Sequence, residues 1–361
     1  MPQKRILVTG GTGFLGRHLV DALTSAGYEV RVFTRSRPRA VSRLAPAVEI
    51  VEGDISRSDH CQEAMKGCNL VFHLAAAYRE PGIPHQRYHD VHVVGTQNLL
   101  DAAENVGVER FVHCSTVGVL SHIDNPPADE TWPHKPGDIY QSTKSQAELL
   151  ALSRHCEALP VTVARPTPIY GPGDERLLKL FRLIAHRRFV MLGSGDVFYH
   201  MVHVHDAVRG LMVLAEHPKA PGRVFTIGGP EYCTLKELTR MIAGELQVSA
   251  PFLRFPVRPV QLLSSLVEKV CVPLQVKPPI YRRRVDFFTK SRAFSIERAR
   301  SELGFEPRVA LVEGIRSTVH WYRSNGFLRK TWLPATLRLQ SAVAAAITYA
   351  GDMANYVLIA A

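Results

Sequence analysis

The sequence predicts an α/β fold, a doubly wound parallel sheet joined to a smaller, mainly helical C-terminal lobe. Three observations carry this. Short β-branched runs alternate with helix-period apolar patterns through the first 170 residues, a glycine-rich turn follows the first run, and the alternation stops after Tyr170. Such alternation requires a parallel sheet, because parallel neighbours need crossovers, and right-handed crossovers lay their helices on the sheet faces.

The strand-like runs are Arg5–Thr9, Glu29–Thr34, Val48–Glu52, Leu70–Leu74, Arg110–Cys114 and Val161–Arg165. Between them, Phe14, Leu15, Leu19, Val20 and Leu23 recur at helical spacing, as do Val94, Leu99, Leu100, Ala103 and Val106. After Tyr170-Gly171-Pro172-Gly173-Asp174 helical patterns dominate, with a further strand-like run at Arg223–Ile227. A Pro-rich stretch, 251–279, encloses an apolar helix over Val260–Val272. The expected organisation is a first domain at 1–170 with segments near 194–230 returning to it, a discontinuous second lobe at 171–330, and an apolar extension at 331–361. From 339 onward Asp352 is the only charge, yet Gln340, Ser341, Thr348, Gly351 and Asn355 also interrupt the run. An interfacial or packed helix is expected there in preference to a membrane span.

An apolar content of 46% with 21% charged residues excludes a disordered chain. Six dispersed Cys without a C-x-x-C pair argue against a disulfide scaffold or zinc site and for a reduced, cytoplasmic setting. The apolar run Ile6-Leu7-Val8 is too short for a signal-peptide core. The formal charge of +11 leaves nucleic acid, an anionic membrane and a phosphorylated ligand open, so its distribution matters more than its sum.

The turn is Thr9-Gly10-Gly11-Thr12-Gly13-Phe14-Leu15-Gly16, between a strand and a helix. Gly10 permits the tight turn, Gly13 the approach of a pyrophosphate, and Gly16 close packing of helix on strand. With Thr12, Phe14 and Leu15, these residues form a dinucleotide cradle at a helix N-terminus. An acid at the end of the second strand would select NAD by holding the ribose 2′-hydroxyl. That position carries Thr34, and no Asp or Glu occurs between Glu29 and Glu49, whereas Arg31, Arg35, Arg37, Arg39 and Arg43 do. Arg35 and Arg37 are expected to clamp a 2′-phosphate, so NADP is expected over NAD. Gly53-Asp54-Ile55 after the third strand places Asp54 near the adenine amino group.

Tyr140-Gln141-Ser142-Thr143-Lys144 lies in a helical pattern, where positions i and i+4 share a face. A Lys cation beside a phenol favours phenolate and brings a proton donor or acceptor toward working pH. The strand end Phe111-Val112-His113-Cys114-Ser115-Thr116 brings a hydroxyl pair to the carboxyl edge of the sheet, where one of them can bind a substrate oxygen.

Together with Asp54, His73-Leu74-Ala75-Ala76, Gly95-Thr96-Gln97-Asn98 and Arg165-Pro166-Thr167-Pro168-Ile169-Tyr170-Gly171, these motifs follow the order of extended short-chain dehydrogenases/reductases, which the chain resembles over roughly residues 4 to 328. The resemblance implies a Rossmann domain and NAD(P)-dependent chemistry. It assigns the catalytic hydroxyl to Thr116, the general acid/base to Tyr140, and nicotinamide-ribose binding to Lys144. It also brings Ile55, Ala75, Ala76, Pro166 and Thr167 to the cofactor. One departure is His92, where relatives often carry Asn; it either substitutes for that residue or is a core histidine with a local partner.

The stretch Arg292–Pro307 and His320-Trp321-Tyr322 look like the closing region of the 3β-hydroxysteroid dehydrogenase-like and dihydroflavonol reductase-like branches. An apolar second lobe fits a sterol-like, polyketide-like or flavonoid-like substrate, a secondary alcohol or ketone. From Lys277 to Arg308 nine Lys/Arg face four Asp/Glu. This excess fits peripheral contact with an anionic membrane, a nucleotide-sugar pyrophosphate, or a solvated face. Two alternatives stand beside the oxidoreductase: a nucleotide-sugar epimerase/dehydratase, and a non-catalytic cofactor-binding protein. Nucleic acid is not expected without a binding motif, and the resemblance makes a homodimer through helices 86–106 and 138–157 usual.

Overall fold

The computed structural model describes residues 4–77, 83–251, 253–262 and 282–328. Strands β1 (Arg5–Thr9), β2 (Glu29–Thr34), β3 (Glu49–Glu52), β4 (Leu70–His73), β5 (Arg110–Cys114), β6 (Val161–Pro166) and β7 (Val224–Ile227) form one seven-stranded sheet, with spatial order β7-β6-β5-β4-β1-β2-β3. Every neighbouring pair is parallel. The chain first adds strands on one side of β1 and then crosses to β4 on the other. Their carboxyl ends therefore flank a switch point, where open α/β sheets bind ligands.

β1 shows why the sheet is covered on both faces. Ile6 and Val8 join one core cluster and Leu7 the other, as the two-residue period of a strand requires. Helices α1 (Phe14–Ser25) and α8 (Val204–Glu216) supply the first cluster through Leu19, Val20, Leu23, Val208, Leu211 and Leu214. Helices α3 (Ser58–Met65), α5 (Gly95–Val106) and α6 (Ile139–Ser153) supply the second. The short helices α2 (Arg37–Val41) and α4 (His85–His89) precede β3 and α5. The pattern read as one helix over 86–106 is α4 and α5 joined by a π-helical turn, Asp90–Val94. Within it the His92 carbonyl accepts the Thr96 hydroxyl at 2.5 Å, a side-chain bond that competes with the regular backbone ladder.

The chain divides into two units: residues 1–170, 200–231 and 293–311 in the first, and 171–199, 232–292 and 312–361 in the second. Segment 293–311 corrects the sequence expectation, which assigned it to the second lobe. Its place follows from pairing and burial: the Ala128 N–H donates to the Ala293 carbonyl at 3.1 Å, the Ser295 N–H to the Ala128 carbonyl at 2.7 Å, and Ala299, Leu303 and Phe305 are buried in the β1–β2 core cluster. In the second unit, α7 (Leu178–Ala185) packs Phe181 edge-on to the buried Tyr322, with ring centroids 5.2 Å apart. The Leu235–Leu246 helix is closed at its start by a Thr234/Glu237 capping box. Among the described residues no helix is long and apolar enough to cross a membrane. The extension 331–361 and most of the Val260–Val272 helix lie outside the described residues.

Candidate active site

The glycine loop joins β1 to α1 in the first unit. Gly10 has φ +72°, and a Cβ there would lie 2.8 Å from the Leu74 carbonyl carbon and the Ala75 nitrogen. Only glycine lets the end of β1 pass the end of β4 so closely. A Cβ on Gly16 would fall 2.2 Å from the Gly10 carbonyl, so helix and turn pack backbone on backbone. Helix α1 starts at Gly13 with no capping side chain and no acid in its first turn. Its first turn presents the backbone N–H groups of Phe14, Leu15 and Gly16 at a helix N-terminus, an arrangement that fits a pyrophosphate. Arg43 reaches back to the loop and donates to the Thr12 carbonyl at 3.2 Å.

The arginines after β2 divide into different roles. Arg35 is exposed, with no partner among the described residues. Arg37 does not join it in a clamp: its guanidinium donates to the Ile50 carbonyl at 2.7 Å, because the turn into α2 directs it back at β3. Arg31 points into the protein, paired with Glu49 at 2.9 Å and bonded to the Ala64 and Lys66 carbonyls. At the end of β3, Asp54 accepts from the Ser56 N–H at 2.9 Å and hydroxyl at 2.8 Å, and pairs with Arg87 at 2.9 Å. Partial burial pushes its carboxyl up, but these partners outweigh that and hold it below the ordinary value. Ile55 is buried, and its carbonyl accepts from Asn98 at 2.9 Å.

Asp138 caps α6, accepting the Gln141 N–H at 2.7 Å, so the helix begins just ahead of Tyr140 and Lys144 and places both on one face. Lys144 is 3% exposed and donates to the Cys114 carbonyl at the end of β5, at 2.6 Å. Burial lowers its pKa, while interactions with Cys114 and Glu148 act the other way. The two neighbouring hydroxyls differ sharply. Ser115 is buried and donates to Glu148. Thr116 is half-buried and accepts the Gly118 N–H at 3.0 Å, which leaves its proton free for another acceptor. Ala75 donates its N–H to Thr9 at 3.1 Å, and Ala76 beyond it is exposed. Pro166 ends β6 opposite Ile227, and the Thr167 N–H donates to the Ile227 carbonyl at 2.9 Å.

Three histidines, His73, His92 and His113, are buried around Lys144. Burial first, and the Lys144 charge second, push His73 down to about 3, His92 to about 2 and His113 well below the ordinary value. Each is thus disfavoured as an imidazolium beside the Lys144 charge. Beneath the hydroxyl pair, the fully buried Glu148 meets the Arg165 guanidinium at 2.5 Å, and Arg165 also donates to His134 at 2.6 Å. Sequence reasoning missed this network, although Tyr140, Lys144 and Glu148 at four-residue spacing mark one helix face.

A pyrophosphate cradle at the switch point, with a buried Lys one helical turn from a Tyr, defines a nicotinamide-dependent enzyme of dehydrogenase type. The profile of the NAD dependent epimerase/dehydratase family matches residues 6–228, and the chain belongs to this family. It is 30% identical over 343 residues to a 3 beta-hydroxysteroid dehydrogenase/Delta 5→4-isomerase of Mycobacterium tuberculosis, covering 89% of this chain and 90% of the relative. It is also 30% identical to the 4-hydroxy-2-methyl-3-oxo-4-farnesyl-3,4-dihydroquinoline-1-oxide ketoreductase of Stigmatella aurantiaca, covering 86% and 94% of the two chains. Among solved structures, gox2253 superposes with a TM-score of 0.76 at 27% identity, covering 91% of this chain and all of that one.

Proposed function

We propose that the protein is an NADP(H)-dependent oxidoreductase that interconverts a secondary alcohol and a ketone on a bulky hydrophobic molecule, sterol-like, polyketide-like or flavonoid-like. The observation that carries this reading is Lys144: it is buried, bonded to the last residue of β5 just ahead of Thr116, and one turn from Tyr140. When bound, the nicotinamide supplies or accepts the hydride. Tyr140 exchanges the proton with the substrate oxygen. Thr116 holds that oxygen with the hydroxyl proton its own Gly118 bond leaves uncommitted. Lys144, held at the Cys114 carbonyl, places a cation one turn along the same helix face.

The substrate class is supported by the names of the two relatives above and by the second unit, where Leu253, Phe255 and Leu262 are exposed. The exposed Arg254 and Arg258 beside them favour contact with an anionic membrane surface that carries such a substrate. Against β-elimination on a nucleotide-sugar, Thr116-Val117-Gly118 offers no acid, and Glu148 is locked to Arg165. The test is a turnover screen with NADPH. Saturable oxidation with hydrophobic ketones and none with nucleotide-sugars is expected, and the reverse result overturns the reading.

Arg35 carries the NADP preference. Arg35→Ser is expected to raise the KM for NADPH about 10- to 100-fold, the loss of a charge-assisted contact, while the KM for NADH stays near its original value. Equal changes for the two cofactors would remove Arg35 from 2′-phosphate recognition.

A further inference from the structure

The buried histidines His92 and His73 lie on two directional chains of hydrogen bonds whose ends are fixed by backbone groups. The Ala77 N–H can only donate, and it meets His92 Nε2 at 3.0 Å. That nitrogen is therefore bare, and the neutral ring carries its proton on Nδ1, 2.8 Å from the Thr143 hydroxyl oxygen. Thr143 passes its own proton to the Ile139 carbonyl at 2.8 Å. The second chain ends on the His92 backbone carbonyl. The His92 carbonyl can only accept, and it takes the Thr96 proton, so Thr96 must accept from His73 Nε2 at 3.0 Å. His73 Nδ1 is then bare and accepts from Thr9 at 2.8 Å, and Thr9 accepts the Ala75 N–H.

The ring of His92 thus bridges the segment Ala75–Ala77, after β4, to Thr143, between Tyr140 and Lys144 on α6. The Tyr140 ring also packs edge-on against it, with centroids 5.4 Å apart. The π-helical turn carries both the bridging ring and the carbonyl that orders the second chain.

We infer that His92 is a positioning residue, held as the Nδ1–H tautomer, which locks the cofactor-side segment Ala75–Ala77 to the helix of Tyr140 and Lys144 and so sets their orientation. This rests on the catalytic reading of Tyr140 and Lys144 proposed above. Two bonds from one ring to two elements limit the rotation of α6 about its axis, the motion that would carry the phenol away from the substrate oxygen.

Two measurements test it. Nitrogen-15 spectra of the full chain, assigned with His92→Phe and His73→Phe variants, are expected to show Nδ1–H for His92 and Nε2–H for His73 at pH 7. The opposite tautomer or an imidazolium at His92 overturns the proposal. In steady-state kinetics, Thr143→Val is expected to lower kcat about 10- to 100-fold, with the KM for NADPH changed less than about twofold. Thr143→Ser, which keeps the hydroxyl, is expected to restore kcat, and His92→Phe to match the Val variant. An unchanged kcat in Thr143→Val, or a loss that Thr143→Ser fails to rescue, overturns it. If Tyr140→Phe stays active, the catalytic reading fails while the tautomer result stands. An inactive Tyr140→Phe with a fully active Thr143→Val defeats the positioning role alone.

Discussion

Tyr140→Phe is expected to lower kcat by about 10²- to 10⁴-fold, the range for removing a positioned proton donor, with NADPH affinity near its original value. The substitution removes one oxygen and retains the ring, so the edge-on packing against His92 and the partial burial against the α5-side core persist. The cofactor cradle belongs to other elements, the β1–α1 turn and the end of β4, and Lys144 keeps its bond to Cys114. Turnover and binding should therefore separate. Steady-state rates with the best hydrophobic ketone, beside an NADPH fluorescence titration, check this. Near-normal turnover removes Tyr140 from the chemistry.

A second large effect concerns stability. Arg165→Met is expected to cost about 3 to 5 kcal/mol, because it leaves the Glu148 carboxylate buried without its cation. The size follows from burial: the Arg165 and Glu148 side chains are 4% and 0% exposed, so water cannot replace the lost partner. At about 2.1 cal/mol/K of unfolding entropy per residue, 361 residues give about 1.3 °C per kcal/mol, so the melting temperature should fall by roughly 4 to 7 °C. The pH dependence gives the loss a signature. Burial pushes Glu148 up, but His134, Arg165 and Ser115 outweigh it and bring it from 4.5 down to about 2. A carboxyl depressed in the folded state adds stability that is present above its unfolded pKa and lost as pH falls through its folded value. In the variant the cation is gone, burial dominates, and protonation relieves the penalty. The stability gap between the two proteins should thus narrow as pH falls from 7 toward 4, measured as urea midpoints. A gap independent of pH would mean that Arg165 acts through packing alone.

Local sequence carried much of the architecture. β1 reads as a strand because Ile6, Leu7 and Val8 are β-branched or apolar in succession, which a strand buried on both faces demands. The β1–α1 turn was legible because Gly10 and Gly16 answer to backbone approaches that admit no Cβ. The π-helical turn was not, since Val91-His92-Val93-Val94 keeps an ordinary helical appearance, and the Thr96 bond to the His92 carbonyl leaves no periodic trace. Composition likewise counted Arg31, Arg35 and Arg37 alike. Their separate fates depend on Glu49, Ala64, Lys66 and Ile50, supplied by β3 and the end of α3.

By itself the sequence determined the fold class, the glycine turn at the head of α1 and the shared face of Tyr140 and Lys144, because each depends on residues within a turn or two of one another. Only the tertiary structure decided which hydroxyl has a proton to offer, which of Arg31, Arg35 and Arg37 has no partner among the described residues, and which tautomer His92 holds. Ser115 is committed to Glu148, 33 residues along the chain, and His92 to Thr143, 51 residues along. Hydrogen-bond partners separated so far in sequence are chosen by how strands and helices stack, and burial then makes each choice binding, because a buried polar group without its partner is costly.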